Sequence, residues 1–266
     1  MSDSSSPSTS KDFRVRPDFH YLVIDRVDQT MAILDGDFDE DRSDRYIVVQ
    51  KIPDHVLEDW FSERVSSSQI DEERDDVTHC DSCKAFYRRF CFMHPVYFCP
   101  DRRIPEHNPE GLTKAELSIP PFLEIKESRI PNAGKGVFAL MDVPVGTCFG
   151  PYKGEKVFEP NSKGYIWEIR RKGKPLFFRD GQDPKRSNWM RFINSALHED
   201  EQNLIAFQYE WKVFYRVFKP IAAGAELLVW YGDDFGEELG AKRVFSTEHS
   251  TKQAPKTPKK KNPFVL

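Results

Sequence analysis

The stretch NWMRFINSALHEDEQNLIAFQYEWKVFYRVFKPIAAGAELLVWYGDD, residues 188–234, decides the fold class. Residues 204–209 and 212–218 are rich in apolar, aromatic and β-branched side chains, with a short break at Glu210 and Trp211. That pattern reads as two strands joined by a tight connection. Pro220 and the small residues 222–224 mark a turn, and residues 226–230 form another short apolar run. Asn194, Asn203, Tyr215 and Tyr231 set amide and phenol groups among these core-like neighbours. A buried polar group left without a partner costs about 1–3 kcal/mol. These groups therefore either tie down turns and strand ends or line a polar pocket inside an apolar shell.

Working outward, the preceding sequence repeats the theme of short strands and turns. Residues 122–126 and 164–169 are strand candidates, and Phe177 and Phe178 before Asp180-Gly181 suggest a hairpin. Many short pieces of this kind predict a β-rich α+β fold, not a doubly wound one. IPNAGKGVFA, residues 130–139, holds Gly134-Lys135-Gly136. The run lacks both the phosphate-loop and the dinucleotide patterns, so it reads as a hairpin turn or a close approach of backbone to a ligand.

The cysteines carry a separate signal. Cys80-x2-Cys83-x7-Cys91-x2-His94 pairs four ligand-type residues at knuckle spacing. Three thiolates and one imidazole with no open position suit structural zinc. Cys99 is an alternative fourth ligand to His94, and His79 also lies nearby.

The 266 residues carry a net charge of −4, and 39% are hydrophobic. Mean hydropathy is −0.62. This balance allows a core with sizeable polar segments and gives the whole chain no pull towards nucleic acid. No apolar run approaches the roughly 18 residues that span a bilayer, so no membrane is expected. The N-terminus shows no secretory pattern, and the five cysteines point to a reducing compartment. The expected organisation is a disordered segment 1–12, then a small α+β unit or partner-binding extension 13–65, then a linker 66–78. A zinc knuckle 79–99 and a Pro-rich connector 100–121 lead to a β-rich domain 122–240 and a basic disordered tail 241–266. Residues 53–65 (PDHVLEDWFSERV) have helical apolar spacing, and the acidic loop 35–45 lacks the Gly and Glu of a calcium loop. The tail, with Pro255-Lys-Thr-Pro-Lys-Lys-Lys261, reads as a nuclear localisation signal or a weak phosphate contact.

IPNAGKGVF, FGPYKG, GYIW, NWMRFINSA, EQNLIAFQY, FYR and ELLVWYGDDFG occur in this order across residues 122–240. Together they resemble a PR domain, the divergent branch of the SET methyltransferase fold. With the knuckle before it, the chain is similar to the meiotic recombination-associated PR-domain proteins. That resemblance implies a SET/PR fold of several short sheets preceded by a small zinc knuckle. It also implies an S-adenosylmethionine-dependent histone-lysine N-methyltransferase acting in the nucleus on the histone H3 N-terminal tail, at the lysine in its fourth position. Chromatin-associated partners and a role in chromatin regulation, in a germline setting, come with it.

Carried over, Ala133, Gly134, Lys135, Tyr165, Asn194 and Ser195 would hold the cofactor. Tyr231, with Tyr215 and Tyr152, would surround the lysine amine. Ser162, Lys163, Gly164, Tyr165, Ile166, Trp167, Glu168 and Tyr231 would border the peptide. The metal would sit on Cys80, Cys83, Cys91 and His94. Tyrosines suit the chemistry, because a phenol can aim an amine without being the nucleophile. The family's Asn-His-Ser reads Asn194-Ser195-Ala196 here, and no cysteine follows Cys148, so the relatives' zinc-finger array is missing and no sequence-specific DNA reader is evident. A catalytically silent PR module serving as a chromatin scaffold is the alternative, and methylation of a non-histone protein is a third.

Overall fold

A computed structural model describes residues 18–39, 44–58, 64–71, 73–91, 93–106, 111–159 and 164–230. Residues 1–17, Tyr231 and everything after it lie outside the described residues, as do Ser162 and Lys163. The expectations for the N-terminal segment, the basic tail and these three site residues therefore fall outside it.

The chain begins with an antiparallel sheet in the order β2-β1-β3, made of β1 (Phe19–Asp25), β2 (Thr30–Asp35) and β3 (Tyr46–Pro53). The helix α1 (Asp54–Glu58) follows. Leu22, Ile24, Met31 and Ile52 join the same buried cluster as Val143, Phe149, Trp189 and Ile221. This sheet thus shares the core of the main domain.

Next, β4 (Arg64–Val65), β5 (Val77–Cys80) and β6 (Ala85–Arg88) form a small sheet in the order β4-β6-β5. Arg64 and Val65, expected to close the N-terminal unit, pair instead with Tyr87 and Phe86. Val77 and Thr78, expected in the linker, are already strand. The strand β7 (Tyr97–Cys99) then joins the main sheet. The segment 100–121, expected as an extended connector, contains the one-turn helix α2 (Lys114–Leu117). Its cap explains it: Thr113 and Glu116 exchange backbone and side-chain hydrogen bonds in a capping box.

The main domain holds β8 (Leu123–Glu127) paired with β9 (Lys135–Ala139), then β10 (Thr147–Phe149). The strands β11 (Glu155–Val157), β12 (Ile166–Arg171) and β13 (Lys174–Asp180) make a sheet in the order β11-β13-β12. Last come β14 (Asn194–Ser195), β15 (Leu204–Tyr209), β16 (Lys212–Val217) and β17 (Leu228–Val229). They build the six-stranded sheet β14-β17-β15-β16-β10-β7.

The β15–β16 turn needs support. Glu210 (φ 49°) and Trp211 (φ 57°) both lie in the left-handed region, which costs non-glycine residues about 1–2 kcal/mol each. Asp75 offsets this cost: its carbonyl accepts the Glu210 N–H and its carboxylate the Trp211 N–H, both at 2.6 Å. The same contact fastens the small sheet to the large one. An aromatic cluster adds area, with Phe90 against Tyr209 at 4.9 Å and Phe98 against Phe214 at 5.3 Å between ring centroids. Asp101 closes the junction, accepting from Asn188 Nδ2, Trp189 Nε1 and Lys153 Nζ.

Candidate functional site

The loop entering β9, the helix α2 and the segment 191–197 enclose an open cleft of about 860 Å³. Behind Asn194, one of its lining residues, sits a buried carboxylate. Glu226, 5% exposed, accepts from Ser128 Oγ (2.6 Å), the Arg129 N–H (3.0 Å) and Asn194 Nδ2 (3.3 Å). Asn194 Nδ2 also donates to the Lys135 carbonyl at 3.1 Å, which joins β14 to β9 across the cleft. Gly136 is required here, because a Cβ on it would stand 2.2 Å from Glu226 Oε1.

At the rim, Lys135 Nζ meets Glu116 Oε1 at 2.7 Å. Lys135 together with the Thr113 donors holds the Glu116 carboxyl down at about 2. The Arg191 guanidinium lies 4.3 Å from the centre of the Tyr165 ring. Ser195 Oγ is buried without a hydrogen-bond partner among the described residues. A buried unpaired hydroxyl on the wall of a cleft is a place for a ligand atom.

A second feature lies between the main sheet and β12. Tyr215 is fully buried and its hydroxyl accepts from Trp167 Nε1 at 2.6 Å. Tyr152, also buried, donates its hydroxyl to the Tyr165 carbonyl at 2.9 Å, and the two phenol rings lie 6.4 Å apart. Gly181 makes room for Tyr152, since a Cβ there would sit 2.2 Å from its hydroxyl oxygen. Both phenols are thus hydrogen-bonded to consecutive parts of one chain segment, Tyr165 to Trp167. Tyr165 also lines the cleft, so the segment connects the two features.

The third feature is a cluster of Cys80, Cys83, Cys91 and His94, whose ligand atoms all lie within 4.8 Å of one another. Individual spacings are 3.3 Å for Cys83 Sγ to His94 Nδ1, 3.6 Å for Cys80 Sγ to His94 Nδ1 and 3.7 Å for Cys83 Sγ to Cys91 Sγ. A tetrahedron with metal–sulfur bonds of about 2.3 Å has edges of about 3.7 Å, so the set fits a metal ion. Burial pushes the Cys91 thiol up, but hydrogen bonds with Tyr87 and His94 outweigh it and bring it to about 6. Cys99 is not part of the cluster: it is buried in the main core on β7. His79 instead faces Asp81 and Phe86. Stripping the metal with a strong chelator is expected to lower the thermal midpoint by more than about 10 °C, because the three small strands have little other core. Elemental analysis finding one metal per chain, lost together with that stability, is the check.

The structure brings Ala133, Gly134, Lys135, Gly164, Tyr165, Asn194 and Ser195 to one cleft. Ile166, Trp167 and Glu168 lie on β12, beside the Tyr152–Tyr215 pair. Gly164 and Tyr165 stand just before that strand, and Tyr165 therefore belongs to both groups.

A family model described as the PR domain of PR domain zinc finger protein 2 matches residues 123–242. The Caenorhabditis elegans histone-lysine N-methyltransferase set-17 is 40% identical over 247 residues, covering 92% of this chain and 84% of that protein. The chain belongs to the PR-domain family of SET histone-lysine methyltransferases. The human histone-lysine N-methyltransferase PRDM7 is 40% identical over 184 residues, 68% of this chain but 37% of that protein. The solved methyltransferase domain of human PR domain-containing protein 2 is 31% identical and covers 52% of this chain and 91% of that one, with a TM-score of 0.39.

Within this PR-domain protein, several residues that line or support the cleft have little or no signal in the sequence. Glu116 and Thr113 precede the matched domain, and their signal was the capping-box spacing among the prolines. Arg191 and Glu226 had no local signal. Their roles depend on Tyr165 and on Ser128, Arg129 and Asn194, which are distant in sequence.

Proposed function

We propose that the protein transfers methyl groups from S-adenosylmethionine to the lysine at the fourth position of the histone H3 tail, in the nucleus, and so regulates chromatin. The observation that carries this reading is the Tyr152–Tyr215 pair, bound to the same segment that lines the cleft. Residues 133–135, Tyr165, Asn194 and Ser195 hold the cofactor, with Ser195 Oγ supplying a polar partner that the folded chain leaves unused. Bound S-adenosylmethionine supplies an electrophilic methyl group on a sulfonium.

The chain's own task is to present a neutral amine to it. Free lysine has a pKa of about 10.4, and an apolar, water-poor channel disfavours the ammonium form. Trp167 and Tyr215, buried against each other, supply the apolar surroundings, and the phenols fix the direction of the amine lone pair, so that positioning supplies most of the rate gain. Tyr231 is assigned to the same group by its place in the family pattern.

The H3 tail binds as an added strand on the outer edge of β12. Cys80, Cys83, Cys91 and His94 hold zinc in a closed structural site. Incubating the protein with S-adenosylmethionine and a panel of H3 peptides, each with one lysine blocked, tests the assignment. Loss of methylation only when the fourth lysine is blocked supports it; continued methylation of that peptide rejects it.

A further inference from the structure

The outer edge of β12 ends in an unusual way. On its inner edge the strand pairs antiparallel with β13, and the Tyr165 carbonyl accepts from the Gly181 N–H. In such a ladder alternate residues face inward and outward. Tyr165, Trp167 and Ile169 face β13, which leaves the backbone groups of Ile166, Glu168 and Arg170 facing out. At Arg170 that outer edge is already filled. Gln208 Oε1 accepts the Arg170 N–H at 2.8 Å, and Gln208 Nε2 donates to the Arg170 carbonyl at 2.9 Å. One side-chain amide thus makes both bonds that a neighbouring strand would make.

Gln208 is well fixed for this. It is 8% exposed and lies on β15 opposite Val213. For the outward groups of Ile166 and Glu168 no hydrogen bond is present among the described residues. Beyond Gln208 the edge gives way to a cavity of about 920 Å³, walled by Val77, Arg170, Phe207, Phe218 and Trp230 among others.

We propose that Gln208 is a positioning residue that ends the substrate strand. By occupying the edge at Arg170, its side chain restricts an added peptide to the backbone groups of Ile166 and Glu168 and turns the rest of the peptide out into the cavity. This rests on the reading above that the H3 tail lies along β12. It adds the register: a strand stopped at a fixed place delivers one peptide position, and not its neighbours, to the tyrosines.

The test uses the full chain, S-adenosylmethionine and H3 tail peptides carrying a single backbone N-methyl group at successive positions. Each N-methyl removes one donor from the peptide. In the wild type, KM is expected to rise about fivefold at the positions opposite Ile166 and Glu168, and less than about twofold at the next alternate position. In Gln208→Ala, with the edge uncovered at Arg170, that next position is expected to become sensitive as well, again by about fivefold. Gln208→Met fills the same space without the hydrogen bonds, and its pattern is expected to stop where the wild type's does.

Equal sensitivity at the third position in the wild type overturns the proposal, as does a Gln208→Ala pattern that stops at the same place. Identical behaviour of the Ala and Met variants assigns Gln208 a purely structural role and also overturns it. Methyl transfer that no N-methyl position affects rejects the strand on β12 itself, and with it the proposal. Absence of transfer in the wild type rejects the enzymatic reading instead.

Discussion

Tyr215→Phe is expected to lower the turnover of a histone peptide roughly 100-fold, the scale on which losing fixed geometry slows a positioned reaction. The ring stays and no cavity opens, because only the hydroxyl goes. That hydroxyl is fully buried and accepts the Trp167 indole N–H at 2.6 Å, so its loss also costs about 1–2 kcal/mol of stability. The effect should fall on kcat, with cofactor affinity within about twofold of the wild type, because Tyr215 lies outside the residues that line the cofactor cleft. Steady-state kinetics beside calorimetric titration of S-adenosylmethionine separate the two. A kcat within threefold or so of the wild type would make Tyr215 an ordinary core tyrosine with a hydrogen-bonded tip.

Glu226→Ala is expected to act on the other half of the reaction. Its carboxylate gathers Ser128, the Arg129 N–H and Asn194, and removing it leaves those donors facing a void. A loss of about 3 kcal/mol in unfolding free energy follows from stranding buried donors. Cofactor affinity should fall by about 30-fold, or about 2 kcal/mol, since Asn194 and the Lys135 carbonyl are registered through this group. Gly136→Ala should move both quantities in the same direction, because its Cβ would displace the same carboxylate. Denaturant unfolding and calorimetry read the two effects. Unchanged cofactor affinity in a destabilised Glu226→Ala protein would reduce Glu226 to a structural group.

Much of this architecture could be read from local pattern. The strands at 204–209 and 212–217 follow from their aromatic and β-branched content, and the metal cluster from the spacing of Cys80, Cys83, Cys91 and His94. What stayed hidden depends on partners far along the chain. Glu210 and Trp211 carry none of the glycine or asparagine expected at a turn with positive φ, because Asp75 supplies the compensation from a different sheet. The helix Lys114–Leu117 is a single turn, too short for periodicity to show, and only its cap marks it. Arg64 and Val65 looked like the end of a helix, yet they have a pairing partner in Phe86 and Tyr87. Asn194 and Ser195 were singled out by the family pattern, and both line the cleft. Glu226 and Gln208 were not singled out, because a buried acid beside a glycine, or an amide filling a strand edge, is a property of contacts and not of spacing.

The central claim is that one lysine amine is held by the tyrosines while a methyl group arrives from the cleft. Its most direct test is the mass of an H3 tail peptide after incubation with S-adenosylmethionine and the metal-loaded protein. The account predicts gain in whole methyl steps, abolished when the fourth lysine is blocked and reduced at least roughly 100-fold by Tyr231→Phe. No gain from folded, metal-loaded protein, or an equal gain from the Tyr231→Phe variant, would contradict it.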